Sequence, residues 1–163
     1  MLRSQVKDLR AILLTHGHKD HIGGLDDVRA FNWVKQGAVD VYGNEGTREV
    51  VYKDFSYAFA AFRYPGVPEI NYHVIDDPPF YIDDIQVVPI PVLHYKMPVL
   101  GFRIGNFAYI TDAKTIPASS MERLKGVEYL VINALRKELH MSHFNLEEAL
   151  TMIARIQPKS AFL

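Results

Sequence analysis

Thr15-His16-Gly17-His18-Lys19-Asp20-His21-Ile22-Gly23-Gly24 sets three imidazoles and one carboxylate within positions 16 to 21, directly after the apolar run Leu9-Arg10-Ala11-Ile12-Leu13-Leu14. An apolar run ending in polar residues reads as a buried strand feeding a loop. An extended path carried onward would put His16, His18 and Asp20 on one face, because side chains alternate along a strand. His21 breaks that alternation, so a turn is expected there, with Gly17, Gly23 and Gly24 supplying the permissive backbone. A solvated His-rich loop is the bland alternative. Three histidines interleaved with an aspartate and flanked by glycines favour instead a nest of N and O donors suited to Zn²⁺ or a similar ion. The pattern differs from H-E-x-x-H, which presents two histidines one turn apart on a helix. This is a loop-borne site.

The composition limits what surrounds that loop. The chain has 163 residues, enough for one domain with a sizeable core, and 48% of them are hydrophobic. It contains no cysteine, so metal binding rests on His and carboxylate. A formal charge of −1 argues against a polyanion or membrane-surface preference. Met1 to Asp8 lack the apolar core of a leader, and no apolar run reaches the roughly 18 residues of a membrane span. A cytoplasmic location is expected.

Strands and helices alternate along the sequence. Apolar spacing predicts a helix over 25–35, a strand over 39–43 and a helix capped by Asn44 running to about Lys53. The aromatic stretch Phe55, Tyr57, Phe59, Phe62, Tyr64 reads as core or packed flap, with a substrate-facing wall as the alternative. Strands are expected at 72–75, 80–82 and 85–90, the last one ending or lying at a sheet edge because of Pro89 and Pro91. A hairpin over 99–110 turning at Gly105-Asn106, a helix over 117–125 and a strand over 127–132 follow. Asn145 and Glu148 form the ends of a capping box for a last helix, which Pro158 closes before a strand from Ser160. The alternation suits a layered α/β sandwich.

Three further segments carry chemistry. His94 follows Ile85-Gln86-Val87-Val88-Pro89-Ile90 on a loop, Asp112 ends Phe107-Ala108-Tyr109-Ile110-Thr111-Asp112, and His143 lies in Ser142-His143-Phe144-Asn145-Leu146-Glu147-Glu148-Ala149. Taken with Thr-His-x-His-x-Asp-His-x-Gly-Gly, these segments in this order resemble the metallo-β-lactamase-fold hydrolases. Within that superfamily the chain is most similar to the phosphoribosyl cyclic phosphodiesterases and the neighbouring tRNase Z-like enzymes. The resemblance implies an α/β fold, the metallo-β-lactamase-like αββα sandwich, as a single domain over 1–163.

It also implies a dinuclear site for two divalent ions, Zn or Mn. His16, His18 and His94 would hold one ion, Asp20 and His21 would belong to the second, and Asp112 would bridge both. Two cations about 4 Å apart lower the pKa of a shared water and hold a phosphoryl oxygen for in-line attack, so hydroxide serves as nucleophile. Asp20 would orient that nucleophile or take its proton. His143 resembles the non-ligand histidine that protonates the leaving alkoxide or steadies the phosphate, with a plain structural role as its alternative. His140 reads as a surface residue, with a stand-in ligand as its alternative, and His73 as structural. Lys96, Arg136 and Lys137 are candidate phosphate contacts, although most such cations are simply solvated.

The implied activity is hydrolysis of a small cyclic or sugar phosphodiester. A tRNase Z-like nuclease and a non-catalytic metal-binding or assembly fragment are the alternatives. Nucleic acid is disfavoured as a partner because no basic patch is visible. Family members carry strands and a Gly/Ser-rich loop before the metal motif and a Thr-His segment after the strand that starts here at Ser160. Neither is seen, so the fold is expected to be partial, and a fragment or a homo-oligomer that shares strands between copies is expected.

Overall fold

In the computed structural model, which describes residues 6–163, the run at Leu9–Leu14 yields a short strand, β1 (Ala11–Leu13). Met1 to Gln5, part of the stretch read for a leader, lie outside the described residues. The chain forms two compact units, Met1–Ile75 and Asp76–Leu163. In the first, β1, β2 (Val39–Gly43) and β3 (Ile70–Val74) form a parallel sheet in that order, with Ala11 opposite Asp40 and Val39 opposite Ile70. Around it run α1 (Lys19–Ile22), a 3₁₀ turn over Gly23–Val28, α2 (Arg29–Lys35), α3 (Glu45–Asp54) and α4 (Ser56–Phe59).

Alternation along β2 sends Val39 and Val41 into the core, where they meet Ile22, Leu25, Val28, Phe31 and Val51. Each such aliphatic side chain, fully buried, contributes about 1.5–3 kcal/mol. The opposite face carries Asp40 and His73, whose Nε2 lies 2.8 Å from the Asp40 carboxylate while its ring stacks on Tyr42. Burial alone would raise the Asp40 pKa, but the hydrogen bonds from His73 and Asn71 hold it below the usual carboxylate value. His73 is thus structural, as its sequence context suggested. Asn44 caps α3 as read, accepting from the Thr47 N–H at 2.9 Å.

The predicted single helix over 25–35 divides into the 3₁₀ turn and α2. Leu25, Val28 and Phe31 are spaced by three, the 3₁₀ repeat, and all three are buried; in the α-helical part a step of three falls about 60° short of a full turn, so Val34 is carried off that face and is exposed. The aromatic stretch also divides: Phe55 is buried, whereas Phe62 and Tyr64 are exposed.

The second unit holds a six-stranded sheet, β4 (Phe80–Ile82), β5 (Ile85–His94), β6 (Met97–Ile104), β7 (Phe107–Ile110), β8 (Tyr129–Ile132) and β9 (Ser160–Phe162), in sequence order. The first four strands are antiparallel and the last three parallel. Gly105, at φ 57°, makes the predicted β6–β7 turn with Asn106. Helices α5 (Ala118–Arg123) and α6 (Leu146–Ile156) pack with a core of Ile90, Val92, Ile110, Leu124, Leu130 and Ile132. The capping box of α6 is present, with the Asn145 side chain accepting from the Glu148 N–H and Glu148 accepting from the Asn145 N–H.

Of the two expectations for the proline-bearing strand, the edge position holds and the early end does not. β5 does not stop at Ile90: it runs through Pro89 and Pro91 to His94, paired with β6 along its length from Val87. β4 covers only 85–87, so beyond Val87 the strand has β6 on one side and, among the described residues, no strand on the other. Leu93, in step with both prolines, donates its N–H away from β6 to the Thr115 carbonyl. The prolines therefore sit where a ladder donor is not needed. On that side Ser120 Oγ and Arg123 Nη1 of α5 bond the carbonyls of Pro91 and Pro89.

Candidate metal centre

In the first unit the histidine loop is set by β1 and by the turn after it. The Leu14 N–H donates to the Tyr42 carbonyl at 2.8 Å, extending the β1–β2 ladder to the edge of the motif. His16 follows, 1% exposed. Its Nδ1 lies 3.1 Å from Thr15 Oγ1, and its Nε2 faces His18 Nδ1 at 3.0 Å. The chain turns earlier than His21. His18 is extended (φ −67°, ψ 148°), and its carbonyl accepts from the N–H groups of His21 and Ile22, so Lys19 to Ile22 form one helical turn.

That turn brings the His21 ring to 4.1 Å from the His16 ring. Ligating atoms of His16 and His21 lie within 4.8 Å of one another. Buried Ile22 anchors the turn. Asp20 does not share a strand face with His16 and His18. It lies in the helical turn, its side chain 81% exposed and 3.5 Å from His21 Nε2.

Gly17 acts by size rather than by unusual backbone, whereas a Cβ on Gly23 or Gly24 would meet open space. Neither Gly17, Gly23 nor Gly24 has positive φ. A Cβ on Gly17 would stand 2.9 Å from both Cβ and Cγ2 of Val50 on α3, so glycine is what lets the loop lie against that helix.

In the second unit His94 is the last residue of β5 rather than part of a loop. Its Nδ1 lies 2.8 Å from the Ser142 carbonyl. A carbonyl only accepts, so Nδ1 carries the proton and Nε2 presents its lone pair, the arrangement of a metal-ligating imidazole oriented by a carbonyl. Ligating atoms of His94 and Asp112 lie within 4.8 Å of one another. Asp112 follows β7 in the left-handed region (φ 56°), a conformation aspartate tolerates better than most residues, and its Oδ1 accepts from Thr111 Oγ1 at 3.0 Å. His143 Nδ1 lies 3.9 Å from Asp112 Oδ1, and its ring is 4.4 Å from that of His94.

Four supports hold this group, and sequence reading found none of them. The Asn133 carboxamide extends the β7–β8 pairing past its end: Oδ1 accepts the Ala113 N–H at 2.8 Å and Nδ2 donates to the Ala113 carbonyl at 3.0 Å. The same carbonyl accepts the Phe144 N–H, tying the Asp112 turn to the His143 segment. Thr115 bridges Leu93, fixing that turn to the end of β5. Lys114 Nζ bonds both oxygens of Glu148 at 2.6 and 2.8 Å and is the main cause of the lowered Glu148 pKa. Asn133 directly follows β8, whose last residue Ile132 pairs with Ile110, two residues before Asp112. Of the cations read as phosphate contacts, Arg136 Nη2 is bonded to the Leu139 carbonyl.

The first unit therefore offers imidazole nitrogens, and the second an imidazole nitrogen and a carboxylate oxygen, at metal-binding separations, and this donor chemistry fits a divalent ion of the zinc or manganese kind. Among the described residues no helix is long and apolar enough to cross a membrane.

Comparison with known proteins agrees with this set. A protein named Octanoyltransferase from Porphyromonas gingivalis is 38% identical over 161 residues, 97% of this chain and 32% of that protein. Ribonuclease Z of Mycobacterium bovis is 32% identical over 149 residues, 80% of this chain and 53% of that protein. The chain thus spans about a third of the first relative and about half of the second. Among solved structures, a diphosphatase of the PhnP family superposes with a TM-score of 0.89 at 34% identity, over 98% of this chain and 61% of that one. The short form of human tRNase Z gives 0.70 at 16% identity over 98% of this chain and 74% of that one, a likeness of fold. The model of the beta-lactamase superfamily domain matches residues 1–163, and with the mixed α/β fold and its ordered His and Asp segments the chain belongs to that family, with the metallo-β-lactamase fold.

Proposed function

We propose that this chain carries the ligands and catalytic groups of a metal-dependent hydrolase acting on small cyclic or sugar phosphodiesters. His16, His18, Asp20, His21, His94 and Asp112 are assigned as its metal ligands. The observation that carries the reading is the His94 tautomer. Its Nδ1–H is committed to the Ser142 carbonyl, which leaves Nε2 unprotonated next to the Asp112 carboxylate. A histidine kept only for packing has no need of that arrangement.

When bound, two divalent ions, zinc or manganese, polarise the phosphoryl group and make water a nucleophile near neutral pH. The residues divide the remaining work. Asp20, exposed and next to His21, orients the water or takes its proton. His143, 16% exposed and 3.9 Å from the Asp112 carboxylate, protonates the leaving alkoxide as the P–O bond breaks, or holds the phosphoryl oxygen. A small substrate is favoured over tRNA because the formal charge is −1 and no basic surplus exists to bind a polyanion.

The PhnP-family diphosphatase supports a second reading within the same chemistry, hydrolysis of a diphosphate linkage. The proposal draws nothing from the octanoyltransferase name, because the match leaves most of that protein uncovered. The test is turnover of bis(p-nitrophenyl) phosphate and of inorganic diphosphate by metal-loaded protein, alongside His143→Ala. Diester turnover that falls at least tenfold in the variant supports the first reading, and turnover of diphosphate alone supports the second. Turnover of neither, with metal bound, refutes both.

A further inference from the structure

His140 reads in sequence as a surface histidine, and its neighbours Leu139 and Met141 are indeed exposed. Its own ring is drawn inward. Nδ1 lies 3.3 Å from the Ser142 N–H nitrogen and 3.3 Å from Ser142 Oγ. A backbone N–H only donates, so Nδ1 accepts, and in the neutral ring the proton resides on Nε2. The ring centroid is 5.1 Å from that of His143, which in turn is 4.4 Å from that of His94.

One residue therefore sets two rings in opposite senses. The Ser142 carbonyl accepts from His94 Nδ1–H, which in the neutral ring places the lone pair at Nε2, while the Ser142 N–H donates to His140 Nδ1, which in the neutral ring places the N–H at Nε2. The first ring is prepared to hold a cation and the second to donate a hydrogen bond. A neutral imidazole N–H held by the backbone beside His143 is a preset donor for an anionic oxygen.

We propose that His140 is a positioning residue for the substrate: its Nε2–H bonds a non-bridging phosphoryl oxygen while His143 acts at the leaving group. The identity of the ligand, a phosphate oxygen, rests on the hydrolase reading above; the donor role rests on the Ser142 contacts. It assigns binding rather than proton transfer to His140, so its loss raises KM more than it lowers kcat.

Two substitutions separate this role from a merely structural one. In His140→Asn the amide reaches the place of Nδ1 and keeps an acceptor for the Ser142 N–H, but nothing stands at Nε2. In His140→Gln an amide N–H reaches the place of Nε2 and the Nδ1 acceptor is lost. Inorganic phosphate is titrated into the full metal-loaded chain and each variant, with its Kd read by calorimetry, and KM and kcat are measured on bis(p-nitrophenyl) phosphate.

The expected result is a phosphate Kd about tenfold or more weaker in His140→Asn, as for loss of one hydrogen bond to a charged group, and a near wild-type Kd in His140→Gln. Wild-type phosphate binding by His140→Asn, a Gln variant as impaired as the Asn variant, or no phosphate binding by the parent chain overturns the proposal. If phosphate binding follows the expected pattern but the parent turns over no diester, the hydrolase reading fails and the donor role stands. If the parent turns over diester and His140→Asn binds phosphate normally, the donor role fails alone.

Discussion

Replacing Asn133 with alanine removes a clamp on the peptide that follows Asp112, and the structure sets the size of the effect. Ala113 is fully buried, and Asn133 satisfies both its N–H, at 2.8 Å, and its carbonyl, at 3.0 Å. In Asn133→Ala the carbonyl still receives the Phe144 N–H at 2.8 Å, so only the N–H is orphaned. An unsatisfied buried donor costs about 1–3 kcal/mol, and the lost bond to the carbonyl adds about 0.5 kcal/mol or more, for an expected loss of about 2–3 kcal/mol.

Asn133→Asp refines the test. One carboxylate oxygen still accepts the Ala113 N–H, but the other then faces the Ala113 carbonyl where the Asn donor was. The variant is expected to be destabilised at pH 7 and to regain stability on acidification, when the protonated oxygen can donate. Urea unfolding at pH 7 and pH 4.5, followed by circular dichroism and corrected for the parent chain, measures both variants. A loss below about 0.5 kcal/mol in Asn133→Ala, or an Asp variant as stable as the parent at pH 7, would refute the reasoning.

The other predictions use the same kind of local accounting. Gly17→Ala places a methyl 2.9 Å from Val50 Cβ and Cγ2, so a loss of about 1–3 kcal/mol is expected, and Val50→Ala in the same chain, which removes Cγ2 but keeps Cβ, should recover part of it. Additive losses in a double-mutant cycle would show that this contact is not the cause. Glu148 has its pKa lowered, first by the hydrogen bond from Lys114 and next by the Asn145 backbone, so its stabilisation is present above its unfolded value of 4.5 and is lost as pH falls through the lower folded value. With Glu148 about a third exposed, Lys114→Met should cost no more than about 1 kcal/mol at pH 7 and flatten the acid limb of the stability curve below pH 4.5. An unchanged acid limb would remove Lys114 as the principal cause.

The features legible in the sequence were those written in local pattern. The histidine loop, β2, both asparagine caps and the Gly105-Asn106 turn depend on residues within a few positions of one another, where side-chain chemistry and backbone preference agree. Contacts between distant segments were not legible. Pro89 and Pro91 argue against a long strand until it is known that β4 stops at Val87 and leaves their side of β5 without a strand. Gly17 reads as a flexible joint until Val50, on a helix more than thirty residues later, is placed against it. The turn before Asp20 comes from the His18 carbonyl bonding to two successive N–H groups, which no alternation rule anticipates.

The site divides in the same way. The ligand types could be named from spacing and resemblance, but the groups that orient them could not. Ser142 looks like an ordinary residue before His143, yet its peptide sets the tautomers of both His94 and His140. Asn133 looks like a strand terminus, yet it holds the peptide that follows Asp112. Backbone groups and single amides of this sort leave no pattern in one sequence, although they decide which imidazole nitrogen carries the proton.

Elemental analysis of the full chain, purified without chelator, compared with His94→Ala and Asp112→Ala tests the metal assignment most directly. The proposal predicts zinc or manganese bound stoichiometrically to the parent chain, with a marked loss of metal in each variant while their circular dichroism stays native. A parent chain that binds no divalent ion, or variants that keep the full complement, would contradict the assignment of these residues as ligands and the hydrolytic reading built on it.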